Sequence, residues 1–535
     1  MIHPYPSDIT VAIPETFTDP FRYRPHPLVV HAAESLMHRI RCSSELSEMF
    51  AEGKMMGVLA VAYGPDYGQI GYLAGFSGIA GGKSIVKGFV PPIYDLTAPD
   101  GYFKIHEAEI SALNTEISKL SSSTELKGLR QTMADAQTQK EHEISRQKAR
   151  MTELKATRDT IRREGINSAK DEELTRQSQF EKAQLRRLKV YWEEKLQSIK
   201  TQIDGIEGRI AEMKRMRKDM SDKLQEWIFR QYRVHNSHGE EASILDIFKS
   251  EGLVPPGGTG DCAAPKLLEY AYRNGMKPLA MGEFWYGLSP DTAVRTEGHF
   301  YPSCTSKCGP LLGYMTQGLE IGKDYTVHGS PMIIFEDDDL VAVHKPSGMP
   351  SVPGLNGIVS AQEWLIEETG CSSIESVHRL DMDTYGLMIF AKTPKAGSHI
   401  RKQFEDHMVR KTYRAILSPS CGKIAKKSGI ISLPLSPDYD ERPRQKADHH
   451  QGKEAITEYH VDKILPDGRI IITYHPHTGR THQLRVHSAH HLGMGCPIMG
   501  DLLYGGTDAP HLCLHAVEIE LTHPSTGQPV RFEDI

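Results

Sequence analysis

The stretch HRLDMDTYGL, residues 378–387, carries two aspartates, Asp381 and Asp383, close behind Arg379. The apolar run Leu387-Met-Ile-Phe-Ala391 follows at once and predicts a buried strand. The carboxylates therefore belong to a loop that enters a strand, where a rigid sheet can hold side chains towards a cleft. Taken alone, the loop is more simply interpreted as a turn, because aspartate commonly hydrogen-bonds to its own backbone. Motifs elsewhere in the chain are needed to distinguish a turn from a functional site.

Length and composition describe an ordinary soluble protein. The 535 residues suffice for two to four domains, and 25% charged with 39% hydrophobic residues is typical of globular chains. A formal net charge of −6 excludes a globally basic protein, so any nucleic-acid surface must be local. Eight scattered cysteines, no secretory segment and no 18-residue apolar run predict a cytoplasmic protein with reduced thiols and no membrane contact.

The composition changes three times along the chain and predicts four segments. A globular, strand-bearing segment covers 1–104, a proline-free and charge-dense segment covers 105–232, and globular composition returns over 233–330. Strands and short helices alternate from 331 to 535, which predicts a mixed sheet with helices laid on it. Segment 233–330 is expected to pack with 1–104 as one domain.

Segment 105–232 has the apolar spacing of a coiled coil. Apolar residues recur at intervals of three and four, at Ile110, Leu113, Ile117 and Leu120 and again from Ile199 to Met213. Gly165 and Asn167 interrupt the pattern near its middle. We therefore predict two long helices that fold back on each other, inserted into the N-terminal domain.

Seven motifs in order make the C-terminal segment resemble the RluA family of pseudouridine synthases. They are DDDLVAVHKPSGMPS (337–351), HRLDMDTYGLMIFAKT (378–393), KTYRAIL (411–417), GKEAITEYHV (452–461), GRTHQLRVH (479–487), PIMGDLLYG (497–505) and LHAVEIELTHPSTG (514–527). One departure is Tyr385, where the family usually has serine. The whole chain resembles a long-form subgroup with an N-terminal extension and a coiled-coil insertion. The fold class implied is α+β: a pseudouridine synthase domain with a mixed, largely antiparallel sheet, and an N-terminal α+β domain interrupted by a helical hairpin.

The resemblance implies isomerisation of uridine to pseudouridine in RNA, with Asp381 as the essential carboxylate. An ionised carboxylate beside the ribose can attack C1′ as a nucleophile or remove the C2′ proton as a base, and the sequence leaves both routes open. The reaction needs neither metal nor nucleotide cofactor. The chain has no phosphate-binding loop and no dinucleotide-binding fingerprint, so we predict no cofactor.

The resemblance also supplies partners for the carboxylate. Arg485 resembles the arginine that pairs with the catalytic aspartate, with a surface ion pair as the alternative. Tyr413 resembles the tyrosine that packs on the uracil, with an ordinary strand aromatic as the alternative. Arg379 resembles the arginine that enters the RNA where the target base has left, although a phosphate contact or a plain salt bridge is a serious alternative. The full predicted substrate-binding set is Arg379, Tyr413, Arg485, Arg480 and Thr384.

A local excess of positive charge supports RNA as the partner. Residues 395–446 contain twelve cations and five anions, in a chain that is acidic overall. The cations are Lys395, Arg401, Lys402, Arg410, Lys411, Arg414, Lys423, Lys426, Lys427, Arg442, Arg444 and Lys446, and the anions are Glu405, Asp406, Asp438, Asp440 and Glu441. Such a stretch can neutralise phosphates, or it can form a solvated basic face.

A second group of residues has the chemistry of a zinc site. Cys262, His299, Cys304 and Cys308 include a Cys-x3-Cys pair and a fourth candidate ligand. Buried free cysteines are common, and the two parts of the group are about forty residues apart, so the prediction assigns no metal.

Two functions of different class follow from the sequence. The first is an RNA pseudouridine synthase whose targets, from relatives of the bare catalytic domain, are 23S rRNA and the tRNA anticodon loop. The second is a non-catalytic RNA-binding or ribosome-assembly scaffold that works through its coiled coil. The presence of Asp381, Tyr413 and Arg485 together favours the enzyme. The coiled coil is expected to mediate self-association or to bind a protein partner.

Overall fold

A ten-stranded mixed sheet organises the C-terminal part of the chain in this computed structural model, which describes residues 1–5, 11–96, 101–291, 293–322, 327–354, 358–419, 426–439 and 441–534. The strands and helices of this part are β8 (Met332–Glu336), β9 (Leu340–Lys345), α9 (Ala361–Thr369), β10 (Glu375–Ser376), β11 (Tyr385–Ala391), α10 (Pro394–Glu405), β12 (Arg410–Leu417), β13 (Ser428–Ser432), β14 (Leu435–Pro437), β15 (Gln445–Ala447), β16 (Ile456–Ile464), β17 (Ile470–Pro476), α11 (Gln483–Ala489), β18 (Leu514–Thr522) and β19 (Pro529–Glu533).

The strand order is β13-β16-β17-β12-β18-β11-β9-β8, with β10 paired to β11 and β19 paired to β18. Among the described strands of this sheet, every pairing is antiparallel except β11 with β18, which runs parallel through Tyr385 and Gly386 opposite His515 and Ala516. The predicted mixed, largely antiparallel sheet is therefore confirmed.

Strand β11 lies in the middle of the sheet because its side chains are apolar on both faces. Leu387 and Ile389 pack in one core cluster with Ile400 of α10. Met388 and Phe390 point to the opposite face and pack in a second cluster that includes α9. A strand covered on both sides needs no polar alternation, which is why its sequence is a continuous apolar run. The loop before it is thus anchored to the most buried strand of the domain.

The N-terminal domain is built on a second sheet that uses residues from both sides of the helical insertion. Its elements and those of the insertion are β1 (His3–Pro4), α1 (Pro27–Arg41), α2 (Ser44–Phe50), β2 (Lys54–Tyr63), β3 (Gln69–Phe76), α3 (Tyr102–Ser121), α4 (Thr124–Arg163), α5 (Ser168–Gln231), β4 (Arg233–His235), β5 (Glu241–Ser243), α6 (Ile244–Ser250), α7 (Ala263–Arg273), β6 (Lys277–Tyr286), β7 (Phe300–Tyr301) and α8 (Gly309–Met315).

The order of this five-stranded sheet is β1-β3-β2-β6-β7. Strand β2 precedes the insertion and β6 follows it, and they pair antiparallel from Lys54 opposite Tyr286 to Ala62 opposite Lys277. Apolar residues of α1 and of these strands form one core cluster. The α+β class and the interrupted N-terminal domain are therefore confirmed, while the segment boundaries drawn from the sequence stay a prediction. Among the described residues, no helix is both long enough and apolar enough to cross a bilayer.

Residues 96–228 form a compact unit of their own. Helices α4 and α5 run back along each other from a reversal at residues 164–167, where Gly165 adopts a φ of +87°. The apolar seam includes Ile117, Leu126 and Ile210, and the Trp192 indole donates a hydrogen bond across it to Glu143 at 3.0 Å. The predicted hairpin is confirmed.

The first arm of the hairpin differs from the prediction because it contains two helices rather than one. The chain leaves the helix at Ser122, and the Ser123 side chain then accepts a hydrogen bond from the Leu126 amide at 3.2 Å to start α4. Serine side chains compete with helical backbone bonds and favour capping positions, so a run of three serines breaks the helix here.

Candidate active site

The loop that carries Asp381 is held by the segment that follows β9. The Ser351 hydroxyl donates to the Leu380 carbonyl at 2.8 Å and accepts from the Leu380 amide at 3.0 Å. The Ser347 hydroxyl donates to the Asp383 carbonyl at 2.7 Å, and the Gly348 amide donates to the Met382 carbonyl at 2.9 Å. These bonds fix the backbone on both sides of Asp381 before any substrate binds.

A buried lysine completes this support. The Lys345 side chain is fully buried and donates to the carbonyls of Pro346, Met349 and Met382 at 3.1, 2.7 and 3.0 Å. Burial lowers the pKa of Lys345 to about 7, against the opposing influence of the Asp383 and Asp381 charges. Lys345 was not assigned from the sequence, although a lysine that closes the apolar run LVAVHK is the signal that marks it.

All six predicted site residues line one cavity of about 510 Å³. Thr384 and Arg485 are buried, Asp381 and Tyr413 are partly exposed, and Arg379 and Arg480 are exposed at the rim. They are contributed by the loop before β11, by β12, by the turn that leads into α11 and by α11 itself, and they are Arg379, Asp381, Thr384, Tyr413, Arg480 and Arg485.

Tyr413 reaches the cavity from an irregular point in its strand. The pairing of β12 with β18 shifts register between Thr412 and Tyr413, and a bulge of this kind redirects the side chain that follows it. Burial raises the pKa of the Tyr413 phenol above its usual range, and the Asp381 charge raises it further. The ring therefore meets the cavity as a neutral phenol.

The environment of Asp381 combines burial with positive charge. Burial raises the pKa of the carboxyl above its usual value, while the charges of Arg485 and Arg379 and a hydrogen bond from the His482 amide act to lower it. His482 can present that amide because its backbone is left-handed, with a φ of 54°, and its ring is fixed by the Tyr504 hydroxyl at 2.9 Å. Backbone conformations this rare in non-glycine residues gather at functional sites.

The predicted pairing of Arg485 with Asp381 stays a prediction, because the hydrogen bonds of Arg485 go to another carboxylate. The guanidinium instead donates two hydrogen bonds to Asp501, from Nε at 2.8 Å and from Nη2 at 2.7 Å. Asp501 is fully buried and also accepts from the amides of Leu503 and Tyr504 at 3.0 and 3.1 Å. A bidentate carboxylate orients an arginine more firmly than a single contact does, so Arg485 acts on Asp381 through its charge.

Asp501, which orients Arg485, was not assigned from the sequence, although the motif PIMGDLLYG contains it. Its carboxylate neutralises one face of Arg485 and also raises the pKa of Asp381 through like-charge repulsion. The only sequence signal was an acidic residue in a glycine-punctuated loop, and such residues are equally typical of ordinary turns.

Arg480 belongs to the turn between β17 and α11. Its Nε donates to the Glu454 carbonyl at 2.9 Å, and its amide donates to the Gln483 side chain at 3.0 Å. The same Gln483 oxygen accepts from the Thr478 hydroxyl at 2.8 Å. The exposed guanidinium is thus oriented at the cavity rim by a fixed turn.

Part of the basic stretch 395–446 is structural. Arg444 is buried and donates to the carbonyls of Leu503 and Val294, while Arg401 pairs with Glu375 at 3.0 Å. Lys423 and Asp440 lie outside the described residues. Lys411, by contrast, lines the cavity, and burial lowers its pKa. The charge excess of the sequence therefore overstates the cationic surface available to RNA.

The N-terminal domain also reaches this loop. The Arg22 guanidinium pairs with Asp383 at 2.9 Å and donates to the Met382 sulfur at 3.4 Å. Residues 21–24, together with Asp381 and Arg379, line a second cavity of about 490 Å³. Because Arg22 lies more than 300 residues from this loop, no local pattern could have predicted the contact.

Comparisons with known proteins identify the family of this chain. The family model described as RNA pseudouridylate synthase matches residues 339–490. The dual-specificity RNA pseudouridine synthase RluA of Haemophilus influenzae is 39% identical over 206 residues, which is 37% of this chain and 90% of the relative. The chain belongs to the RluA family of pseudouridine synthases.

A second relative of this RluA-family protein gives the same result. The RluA enzyme of Escherichia coli (strain K12) is 37% identical over 206 residues, covering 38% of this chain and 91% of that enzyme. The solved structure of human RNA pseudouridylate synthase domain containing 1 is 24% identical, with a TM-score of 0.34, and covers 40% of this chain and 86% of that one. The family model and the RluA relatives together make this RluA-family protein an RNA pseudouridine synthase.

Proposed function

We propose that this enzyme converts specific uridines of structured RNA to pseudouridine with Asp381 as its essential carboxylate. The observation that carries the proposal is the position of Asp381 in a cavity of about 510 Å³ whose lining includes three arginines and a tyrosine. The volume lies within the range of small-molecule sites and so accommodates a single nucleoside turned out of its helix.

Each predicted substrate-binding residue has a definite task in this proposal. The Tyr413 ring stacks on the flipped uracil, and the exposed Arg379 enters the space that the base has left. Arg480 contacts a phosphate at the rim, and Thr384 ties the loop through its amide, which donates to the Asp381 carbonyl at 3.1 Å. Arg485 favours the ionised form of Asp381 through its charge.

The chemical step is an isomerisation that consumes no other reactant. The bond between N1 of the uracil and C1′ breaks, the uracil turns, and C5 forms the new bond to C1′, while the C5 proton is lost and N1 gains a proton. Asp381 either bonds to C1′ until the new bond forms, or takes the C2′ proton and returns it. The partly buried carboxylate, with a hydrogen-bond donor and two guanidinium groups nearby, suits both routes.

The RNA targets that we propose are 23S rRNA, the tRNA anticodon loop, or both. The support is the description of the matched relatives as dual-specificity enzymes, together with a cavity formed largely of loops and exposed arginines rather than one closed groove. We further propose that residues 105–232 influence RNA choice or anchoring, by self-association or a protein partner, and that the enzyme works in the cytoplasm.

The decisive experiment compares Asp381→Asn with the wild type on RNA labelled with tritium at C5 of uridine. The Asn side chain keeps the shape and removes the charge, so tritium release should fall by several orders of magnitude while RNA affinity is retained. Asp462→Asn, which changes an exposed aspartate of strand β16 in the same domain, serves as the matched control and should release tritium like the wild type. Appreciable turnover by Asp381→Asn would refute the assignment.

Tyr413→Phe tests the stacking role separately. The ring remains, so RNA binding should stay close to that of the wild type, and only a proton-transfer step would suffer. Loss of binding would show that the hydroxyl makes the contact. Mapping pseudouridine in total RNA with and without the gene identifies the target class.

A further inference from the structure

Three cysteines lie together in the N-terminal domain, away from the catalytic cavity. Cys262 immediately precedes α7, whereas Cys304 and Cys308 belong to the loop that leads into α8. The three sulfur atoms all lie within 4.8 Å of one another. Cys308 is fully buried and the other two are partly buried, and all three are free thiols.

His299, the fourth candidate ligand suggested by the sequence, does not join this cluster. Its ring packs edge-on against Tyr301 with 4.7 Å between ring centroids, and among the described residues the group of metal-binding side chains formed by the three cysteines does not include it. Its position in the sequence suggested His299 as a ligand, but the ring packs on Tyr301. The candidate site is therefore the three cysteines alone.

A buried glutamate fixes the two cysteine-bearing loops relative to each other. The Glu283 carboxylate accepts from the Ala264 amide at 3.1 Å, next to the Cys262 loop, and from the Ser303 hydroxyl at 2.6 Å, next to Cys304. The cluster consequently does not depend on the cysteines to bring the loops together. A site supported in this way is already arranged for a ligand.

The sulfurs are not used for helix capping. Cys262 and Cys308 are the residues that precede the first turns of α7 and α8, yet neither side chain caps its helix. The three sulfur atoms, all within 4.8 Å of one another, thus remain available to a common ligand.

A zinc ion fits that centre. Zinc–sulfur bonds of about 2.3 Å in a tetrahedron place the sulfurs about 3.8 Å apart. Since the sulfurs lie within 4.8 Å of one another, zinc binding requires a contraction of at most about 1 Å. Soft thiolates favour Zn²⁺ over Mg²⁺ or Ca²⁺. The fourth direction is open, because Cys262 and Cys304 border a cavity of about 350 Å³ that also reaches Glu283 and Lys307.

We propose that Cys262, Cys304 and Cys308 bind one Zn²⁺ as thiolates, with a solvent oxygen from the adjoining cavity as the fourth ligand. Binding displaces the thiol protons to solvent and leaves the sulfurs unoxidised. The ion joins the start of α7 to the start of α8.

The zinc has a structural task rather than a catalytic one. Within the described residues, the lining of the catalytic cavity includes none of the three cysteines. The Cys304–Cys308 loop instead contacts the catalytic domain, because the Thr305 amide and hydroxyl both donate to the Arg442 carbonyl at 3.1 Å. Crosslinking this loop stabilises the surface on which the two domains meet.

The first test measures metal in the full-length protein, purified through a tag without histidine and in the absence of chelators. We expect one zinc per chain by elemental analysis, and X-ray absorption at the zinc edge should show three sulfur neighbours and one oxygen. Metal-free protein under reducing conditions should take up Co²⁺ with an intense thiolate-to-cobalt absorption band.

Variants locate the site. Cys304→Ser and Cys308→Ser should each lose most of the zinc and unfold at a lower temperature, whereas Cys371→Ser, at a partly buried cysteine outside the cluster, should keep one zinc per chain. Wild-type protein without zinc and without Co²⁺ uptake would overturn the proposal. Zinc retained in both variants or an iron–sulfur cluster would also overturn it. So would a metal spectrum dominated by nitrogen and oxygen, which would point to the second described group that could hold a metal, His344, His515 and Asp534.

Discussion

Asp501→Asn separates the structural and electrostatic effects of the buried carboxylate behind Arg485. Oδ1 of Asp501 accepts from Arg485 Nη2 and from the amides of Leu503 and Tyr504, whereas Oδ2 accepts from Arg485 Nε. An asparagine with its oxygen in the Oδ1 position preserves three of these four bonds. Its amide nitrogen then faces Arg485 Nε, donor against donor, and the guanidinium charge loses its counter-ion.

The number of retained hydrogen bonds sets the expected loss of stability. Breaking a buried ion pair from one side costs about 3–5 kcal/mol, and the three retained hydrogen bonds place this variant near the lower limit, about 3 kcal/mol. For a domain of this size, that corresponds to a fall in Tm of about 6–12 °C. Thermal unfolding followed by circular dichroism at neutral pH measures it.

The pH dependence of the unfolding free energy distinguishes the electrostatic effect of Asp501 from its structural effect. Burial alone would raise the pKa of Asp501, but the Arg485 charge and its hydrogen bonds lower it, so Asp501 stabilises the fold above its unfolded pKa. That stability is lost as the pH falls through the folded pKa, and the difference between wild type and variant should therefore narrow in acid.

The pH dependence of activity should also change in Asp501→Asn. Asp501 raises the pKa of Asp381, so its neutralisation should shift the acidic limb of tritium release to lower pH. Asp508→Asn, at an exposed position of the same loop, should change neither Tm nor the limb. An acidic limb that stays in place or moves upward in Asp501→Asn would refute the electrostatic link between the two carboxylates.

Three further predictions follow from the fold. Lys345→Met removes the hydrogen-bond donor from three carbonyls and should lower the free energy of unfolding by about 2–3 kcal/mol at neutral pH. The pKa of Lys345 is about 7 in the folded state and 10.5 in the unfolded state, so the stability of the wild type should rise as the pH increases between these values. The stability of the variant should not rise over this range. Gly386→Ala places a Cβ 2.4 Å from the Ala516 carbonyl oxygen at a φ of +112°, so the free energy of unfolding in denaturant should fall by about 2–4 kcal/mol. Gly527→Ala is the control, because a Cβ there meets no atom within 4 Å, and it should cost about 1 kcal/mol. A Gly/Ser linker in place of 105–232 should leave turnover on a small stem-loop within a few-fold, and its loss in a cooperatively folded variant would show that the hairpin helps to build the active site.

Sequence periodicity predicted the strands and helices whose buried faces follow one regular apolar pattern. The run at 387–391 became a strand because both of its faces are covered, and the a/d spacing became a hairpin because Gly165 permits the reversal. The alternating segment Leu514–Thr522 was quoted as a motif but not assigned to a strand, although it is central to the sheet.

The candidate site was predictable as a set of residues but not as a set of contacts. The six residues taken from the motifs do line one cavity. The hydrogen bonds of Arg485 to Asp501 were not predicted, because sequence identifies a guanidinium but not which of several nearby carboxylates lies in its plane. Lys345 and Arg22 were missed for a related reason: one bonds only to backbone carbonyls, and the other reaches Asp383 across most of the chain.

The pairing of β2 with β6 has a consequence for the order in which the chain folds. More than 200 residues separate the two strands, and closing a loop of that length costs about 4.7 kcal/mol of chain entropy. Contacts along the hairpin arms are nucleated locally and form within microseconds to milliseconds. Tyr102 and Trp227 stack at the base of the arms with 4.3 Å between ring centroids, so a formed hairpin brings its own ends together.

Once the hairpin has formed, only about 85 flexible residues remain between the strands, and the closure cost falls to about 3.9 kcal/mol. During synthesis the ribosome releases the whole hairpin before β6 emerges. We therefore expect the insertion to fold first on the nascent chain, so that β6 lies close to β2 when it emerges.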